Sequence, residues 1–162
     1  MLPLQLFFDE CCSKRLPRKL LDVYLEDYPN IKTLHLTDFV KAGTGDSDWL
    51  ALLEQEKHWI VVTTDRGKDA KKPKLPVLCS RLGITFISMT PALMNDGYKA
   101  HKQALLTVWP QLIRAPLLPR GTRVSLGYHM YNKGLTKAPY LSIDDQAFDI
   151  WCHEHGVAGP ED

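Results

Sequence analysis

The sequence predicts an α/β fold built on a parallel sheet, and three observations carry that expectation. Short apolar runs at residues 4–8, 59–63 and 84–88 and an alternating segment at 32–36 are separated by segments whose apolar residues recur at helical spacing, the pattern of successive βαβ units. The runs at 4–8 and 59–63 are continuous rather than alternating, as befits strands covered on both faces. Acidic residues follow both, at Asp9 and Asp65, and an open parallel sheet places its ligand crevice beyond the carboxyl ends of its strands.

Residues 4–8 form the first strand. A helix follows from Pro17, with Leu20, Leu21, Tyr24, Leu25 and Tyr28 at helical spacing and Pro29-Asn30 as its stop. Residues 32–36 make the second strand, and a flexible loop at 41–45 delivers Asp46. Ser47 caps a second helix that runs through Lys57 and carries Trp49, Leu50, Leu52 and Leu53. The β-rich residues 59–63 are the third strand. After a basic, polar segment at 64–76, a short helix at 77–82 with Gly83 as its C-cap leads to the fourth strand at 84–88. The order β-α-β-α-β-α-β defines a core of residues 1–92. A small C-terminal α+β extension, residues 93–162, is expected to pack on it. It contains a helix at 100–113, strands at 123–131 and 140–143, and a last helix behind a Ser142/Asp145 capping box.

With 162 residues the chain has room for one domain of ordinary size and a real core. Hydrophobic residues at 44% and charged residues at 24% exclude wholesale disorder and fibrous repeats. The 20 Lys and Arg against 19 Asp and Glu leave a formal charge of +1, so polyanion binding must come from local clusters. No apolar run reaches the length of a membrane span. The first run stops at Asp9 and Glu10 and lacks the basic start of a secretory leader. The expected compartment is the cytoplasm, with no membrane partner. Among the four cysteines, Cys11 and Cys12 are adjacent and no CxxC spacing occurs; reduced, mostly buried thiols are expected rather than a disulfide framework or a zinc knuckle.

In this arrangement Asp9, Asp46 and Asp65 open onto one strand-end face. Carboxylates converging there repel one another unless a cation intervenes, and Mg²⁺ or Mn²⁺ held by one or two of them plus water is the economical partner. Such an ion polarises a phosphoryl oxygen and activates water, the chemistry of phosphodiester cleavage. Each acid taken alone also has an ordinary role open to it, as a helix cap or loop solvator. Glu10 is a secondary metal candidate, because adjacent side chains on a strand point to opposite faces.

These residues resemble the PIN-like nucleases, in particular the compact branch found beside toxin and antitoxin genes. The resemblance lies in Phe7-Phe8-Asp9-Glu10, in Gly45-Asp46-Ser47-Asp48-Trp49-Leu50 and in Trp59-Ile60-Val61-Val62-Thr63-Thr64-Asp65-Arg66. It implies a PIN-like core and a metal-dependent ribonuclease, with Asp9, Asp46 and Asp65 as catalytic, metal-binding acids and a helper hydroxyl at Thr63 or Thr64. Cys11 stands where the branch often has Asn, and Gly67-Lys68 where it often has Asp-Phe; Asp69 is the nearest substitute acid, two positions out of register. A toxin role follows from the same resemblance. RNA is the expected substrate, and an antitoxin protein and a second copy of the chain are the further candidate partners.

Positive charge surrounds the acids. Arg66, Lys68, Lys71, Lys72, Lys74 and Arg81 follow the third strand, and Lys14, Arg15, Arg18 and Lys19 follow the first. Lys14, Arg15, Arg66, Lys68, Lys71 and Lys72 are the candidate RNA-binding residues, since phosphate neutralisation gives affinity without reading sequence; such runs also occur as plain solvated loops. His153 and His155 are two apart and do not face one another on a helix, which disfavours zinc there. His129, between Tyr128 and Tyr131, has a ring suited to stacking on an unpaired base, although alternating aromatics in a strand more often make core and rim. No GxxxxGK[ST] or GxGxxG loop occurs. Two functions stay open: a Mg²⁺- or Mn²⁺-dependent endoribonuclease, and a non-catalytic PIN-like module that binds RNA or a partner protein.

Overall fold

The computed structural model describes residues 3–64, 75–134 and 136–157. From the N-terminus, β1 (Gln5–Phe8), α1 (Arg15–Tyr24), β2 (Lys32–His35), α2 (Leu36–Phe39), α3 (Asp46–Glu56), β3 (Trp59–Thr63), α4 (Leu75–Leu82) and β4 (Phe86–Met89) realise the expected alternation. They are followed by α5 (Pro91–Asn95), α6 (Tyr98–Thr107), α7 (Trp109–Leu112), β5 (Arg123–Tyr131), β6 (Thr136–Ile143), β7 (Gln146–Ala147) and α8 (Phe148–Glu154). Among the described residues the strands form one seven-stranded sheet in the order β2-β1-β3-β4-β5-β6-β7. The first five in that order are parallel, and β6 and β7 are antiparallel.

The continuous apolar runs reflect two cores, one on each face of the sheet. Successive strand side chains point to opposite faces. Leu6 and Phe8 therefore join Leu16, Leu20 and Tyr24 of α1 and Ala104 and Leu105 of α6 in one cluster. Phe7, Val61 and Phe86 join Trp49, Leu50 and Leu53 of α3 and Leu75 and Cys79 of α4 in the other. In the first, the Tyr24 ring stacks on Trp109 at 3.5 Å between centroids and its hydroxyl donates to the Leu105 carbonyl at 3.1 Å. In the second, Phe7 stacks on Trp49 at 5.2 Å. Cys12, Cys79 and Cys152 are buried free thiols and Cys11 is exposed. No helix among the described residues is long and apolar enough to cross a membrane.

Several local expectations are corrected. Gly45, not Ser47, is the N-cap of α3, and Asp46 is its first residue. The first helix ends at Tyr24 rather than reaching Tyr28. The helix expected at 100–113 is two helices, because Pro110 has no N–H to donate and takes its place in the first turn of α7. β6 begins at Thr136, since it pairs with β5 all the way from Tyr131↔Thr136 to Val124↔Ile143. Ser142 lies within that strand, and Asp144 and Asp145 form the following turn with φ of 40° and 63°. No capping box therefore precedes α8, whose N-cap is Ala147; a two-residue hairpin turn needs positive φ at both central positions, which Asp tolerates.

The last parallel pairing of β5 with β4 is Met89↔Leu126, and β5 runs on to Tyr131. The β5–β6 hairpin thus rises beyond the carboxyl edge of the parallel strands. It is anchored at two points. Gly127 receives the Thr90 side chain against its backbone, so that a Cβ there would lie 2.5 Å from Thr90 Cγ2 and 2.8 Å from its Oγ1. Tyr128 Oη and Lys137 Nζ both donate to Asp96 Oδ2, at 2.6 and 3.1 Å, with the ammonium 4.3 Å from the Tyr128 ring centroid. These contacts hold the Asp96 carboxyl below its ordinary value, the Tyr128 hydrogen bond contributing most. Burial, then Asp96, pushes Tyr128 up to about 12.

Two outcomes follow. Gly127→Ala should destabilise the fold by about 1–3 kcal/mol through overpacking, and by clearly less in a Thr90→Ala background, as denaturant titration of the four proteins in the cycle would measure. Because the folded Asp96 pKa lies below its unfolded one, the anchor contributes stability above the unfolded value, about 3.9, and loses it as pH falls through the folded value. Tyr128→Phe should return Asp96 toward its ordinary titration in carboxyl NMR.

Candidate functional site

The crossover through α1 lies on one face of the sheet and that through α4 on the other. β1 and β3, neighbours in the sheet, are therefore followed by helices on opposite faces, and their carboxyl ends are the switch point of such a sheet. Asp9 is the first residue beyond β1 and Thr63 the last of β3. The register Phe8↔Val62 sets them side by side, on the face that carries Phe7 and Val61.

Asp9 is only 4% exposed. Its backbone N–H donates to the Val62 carbonyl at 3.2 Å, its Oδ1 accepts from the Cys11 N–H at 3.0 Å, and its Oδ2 accepts from the Thr63 hydroxyl. A short polar acceptor that bonds the chain two residues on is an Asx turn, which fixes the carboxylate's direction. The turn is also held from β2. His35 is buried, its Nε2 donates to the Cys12 carbonyl at 2.9 Å, and its Nδ1 accepts from the Thr37 N–H at 3.2 Å. A carbonyl can only accept, so these partners select the neutral ring with its proton on Nε2.

Asp46, half-buried at the start of α3, accepts from the Trp49 indole N–H at 2.9 Å. Trp49 is itself buried against Phe7. The packing that fixes the indole thus places Asp46 relative to the strand that ends in Asp9. The Cys79 thiol is pushed up to about 12, by burial first and then by the charges of Asp9 and Asp46, so each acid lies within electrostatic range of that one buried group. Burial and then Asp9 raise the Cys12 thiol as well.

The other sequence-derived residues are distributed around this point. Thr64 follows β3 and is half-buried, whereas Glu10 is exposed. Lys14 is exposed at the N-cap of α1, and the Arg15 guanidinium lies 4.3 Å from the Tyr98 ring centroid. Asp65, Arg66, Lys68, Asp69, Lys71 and Lys72 lie outside the described residues. Sequence reasoning missed His35 and the Trp49 indole. The second had a signal, since Asp46 and Trp49 are spaced i, i+3 at a helix start; a histidine ending a strand carried none. Ser88, buried and paired with Thr63, extends the polar row onto β4. A cavity of about 220 Å³ lined by Trp59, Ile60, Thr85 and Arg120 opens at the amino ends of β3 and β4, away from Asp9.

The donor set fits a hard divalent cation. Each carboxylate oxygen has two acceptor sites, and the Cys11 and Thr63 bonds orient Asp9. A Mg²⁺-type ion needs only one or two carboxylates and keeps several waters. Among the described residues no three His, Cys, Asp or Glu side chains form a ready-made metal group.

A sequence-family profile described as "PIN like domain" matches residues 4–88, and the chain belongs to this family. PIN-like domains are generally nucleases and typically use divalent metals. Neither a curated protein nor a solved structure matches the chain.

Thr63→Val should cost about 1.5–3 kcal/mol, the range for a hydrogen bond to a charged group. Thr63→Ser, which keeps the hydroxyl, should lose less, with denaturation midpoints as the measurement.

Proposed function

We propose that this protein is a divalent-metal-dependent endoribonuclease. The observation that carries the reading is the Asp9 carboxylate, buried at the carboxyl end of β1 and held in one direction by Cys11 and Thr63, while the Trp49 indole fixes Asp46 at the start of α3. Asp9 and Asp46, joined by Asp65 two residues after Thr63, would hold Mg²⁺ or Mn²⁺. When bound, the ion supplies Lewis-acid polarisation of a phosphoryl oxygen and a more acidic water. The chain's own contribution is orientation: Thr63 and the Cys11 N–H fix Asp9, His35 pins the turn behind it, and the Trp49 indole fixes Asp46. Lys14, Arg15, Arg66, Lys68, Lys71 and Lys72 would carry the phosphate chain past the acids. Glu10 and Asp69 are auxiliary acids in this reading. The resemblance to the toxin-associated branch supports a growth-arresting role with an antitoxin protein as its inhibitor.

Purified protein incubated with a mixed RNA pool should cleave it with Mn²⁺ and stop when a chelator is added. Asp9→Asn and Asp65→Asn should each fall to the chelated level while retaining the wild-type circular dichroism spectrum. RNA binding without cleavage in the wild type would make the protein a non-catalytic RNA-binding module instead.

A further inference from the structure

Among the described residues, no apolar cluster covers the face of the β5–β6 hairpin on the side of α3 and α4. Val124, Leu126, Leu141 and Ile143 point into the cluster with α1 and α6. Alternation therefore sends Ser125, Gly127, His129 and Tyr131 of β5, and Tyr140 and Ser142 of β6, to the other face. The cluster beneath α3 and α4 contains no residue of either strand. His129 is exposed and Tyr131 is 48% exposed. The ring centroids of His129 and Tyr131 are 4.6 Å apart at 64°, and those of His129 and Tyr140 are 5.5 Å apart at 41°; inclined contacts of this kind do not bury the rings in one another. Gly127, paired with Tyr140, has the Thr90 side chain against it in place of one of its own.

Two further observations say what such a face would receive. From residue 123 to 143 the chain carries Arg123, Lys133 and Lys137 and not one Asp or Glu; Lys137 is paired with Asp96 on the opposite face, so what suits the hairpin to a polyanion is its lack of acids. It also shares a face with the candidate site, since Thr63↔Ser88 and Ser88↔Ser125 form one level across the sheet. His129 stands two strands across from Thr63, about 10 Å, and four residues further up, about 13 Å. That span is a matter of a few nucleotides.

We propose that His129, Tyr131 and Tyr140 form a stacking surface for unpaired bases, which holds the part of a single-stranded RNA that extends beyond the cleaved bond. The proposal rests on the ribonuclease reading and adds a base-binding surface outside the family-matched residues: rings take bases that are not already stacked within a duplex.

The test is fluorescence anisotropy in chelator with a labelled 12-nucleotide oligouridine and with the same strand annealed to its complement. Tyr131→Ala/Tyr140→Ala should bind the single strand at least tenfold more weakly, with an unchanged salt slope because no phosphate contact is removed. Tyr131→Phe/Tyr140→Phe, which keeps the rings, should bind like the wild type. Duplex binding should be weaker in the wild type and equal in all three proteins. Unchanged single-strand affinity in the alanine variant, with Mn²⁺-dependent cleavage intact, would overturn the proposal and leave the ribonuclease reading standing. Absence of both binding and cleavage in the wild type would end both. A wild-type dimer in sedimentation that the alanine variant dissolves would assign the face to a second copy and overturn the proposal.

Discussion

The parallel pairing of β1 with β3 is the constraint on which the rest depends. It places the residue after Phe8 beside the residue after Val62, so a carboxylate and a hydroxyl meet where two neighbouring strands precede helices on opposite faces of the sheet. A buried carboxylate is tolerated only where donors surround it, and here the fold itself supplies them, from the following turn and from the neighbouring strand. Packing extends that order outward. Phe7 seats Trp49, Trp49 seats Asp46, and β2 fastens the turn through His35. The polar site is thus built on two apolar cores rather than set into a surface loop.

How much of this was legible depended on the kind of signal. The βαβ alternation and the third strand, residues 59–63, were readable because a short unbroken apolar run, rich in β-branched residues and bounded by polar ones, suits a strand covered on both faces. Asp9 and Asp46 were readable as the ends of elements. The helix break at Pro110 was written in the sequence, yet the apolar spacing of Leu105, Trp109 and Leu112 overrode it. The Asp144–Asp145 turn was obscured because Ser142 and Asp145 imitate a capping signal, and only the pairing of β6 with β5 decides between helix start and hairpin. His35 was not legible at all: its role comes from a carbonyl that is 23 positions away in the chain.

The family match ends at residue 88, but the sheet does not. β5 joins β4 as a fifth parallel strand, and β6 and β7 prolong it. Leu105, Trp109, Val124, Leu126, Leu141 and Phe148 share one apolar cluster with Leu6 and Phe8. The family-matched segment and the later residues thus contribute to the same interior, even though the two are distinguishable in sequence.

This continuity has a bearing on self-association. An exposed strand edge offers a row of unpaired N–H and C=O groups that another chain can extend. In this sheet β4, whose FISM sequence is buried throughout, would be such an edge if it came last. Instead the outer positions go to β2, four residues with an exposed Lys32 at its start, and to β7, only two residues long. The residues after the family-matched segment therefore act as a guard against strand addition, leaving the sheet to end in short borders that give a second chain little to grip.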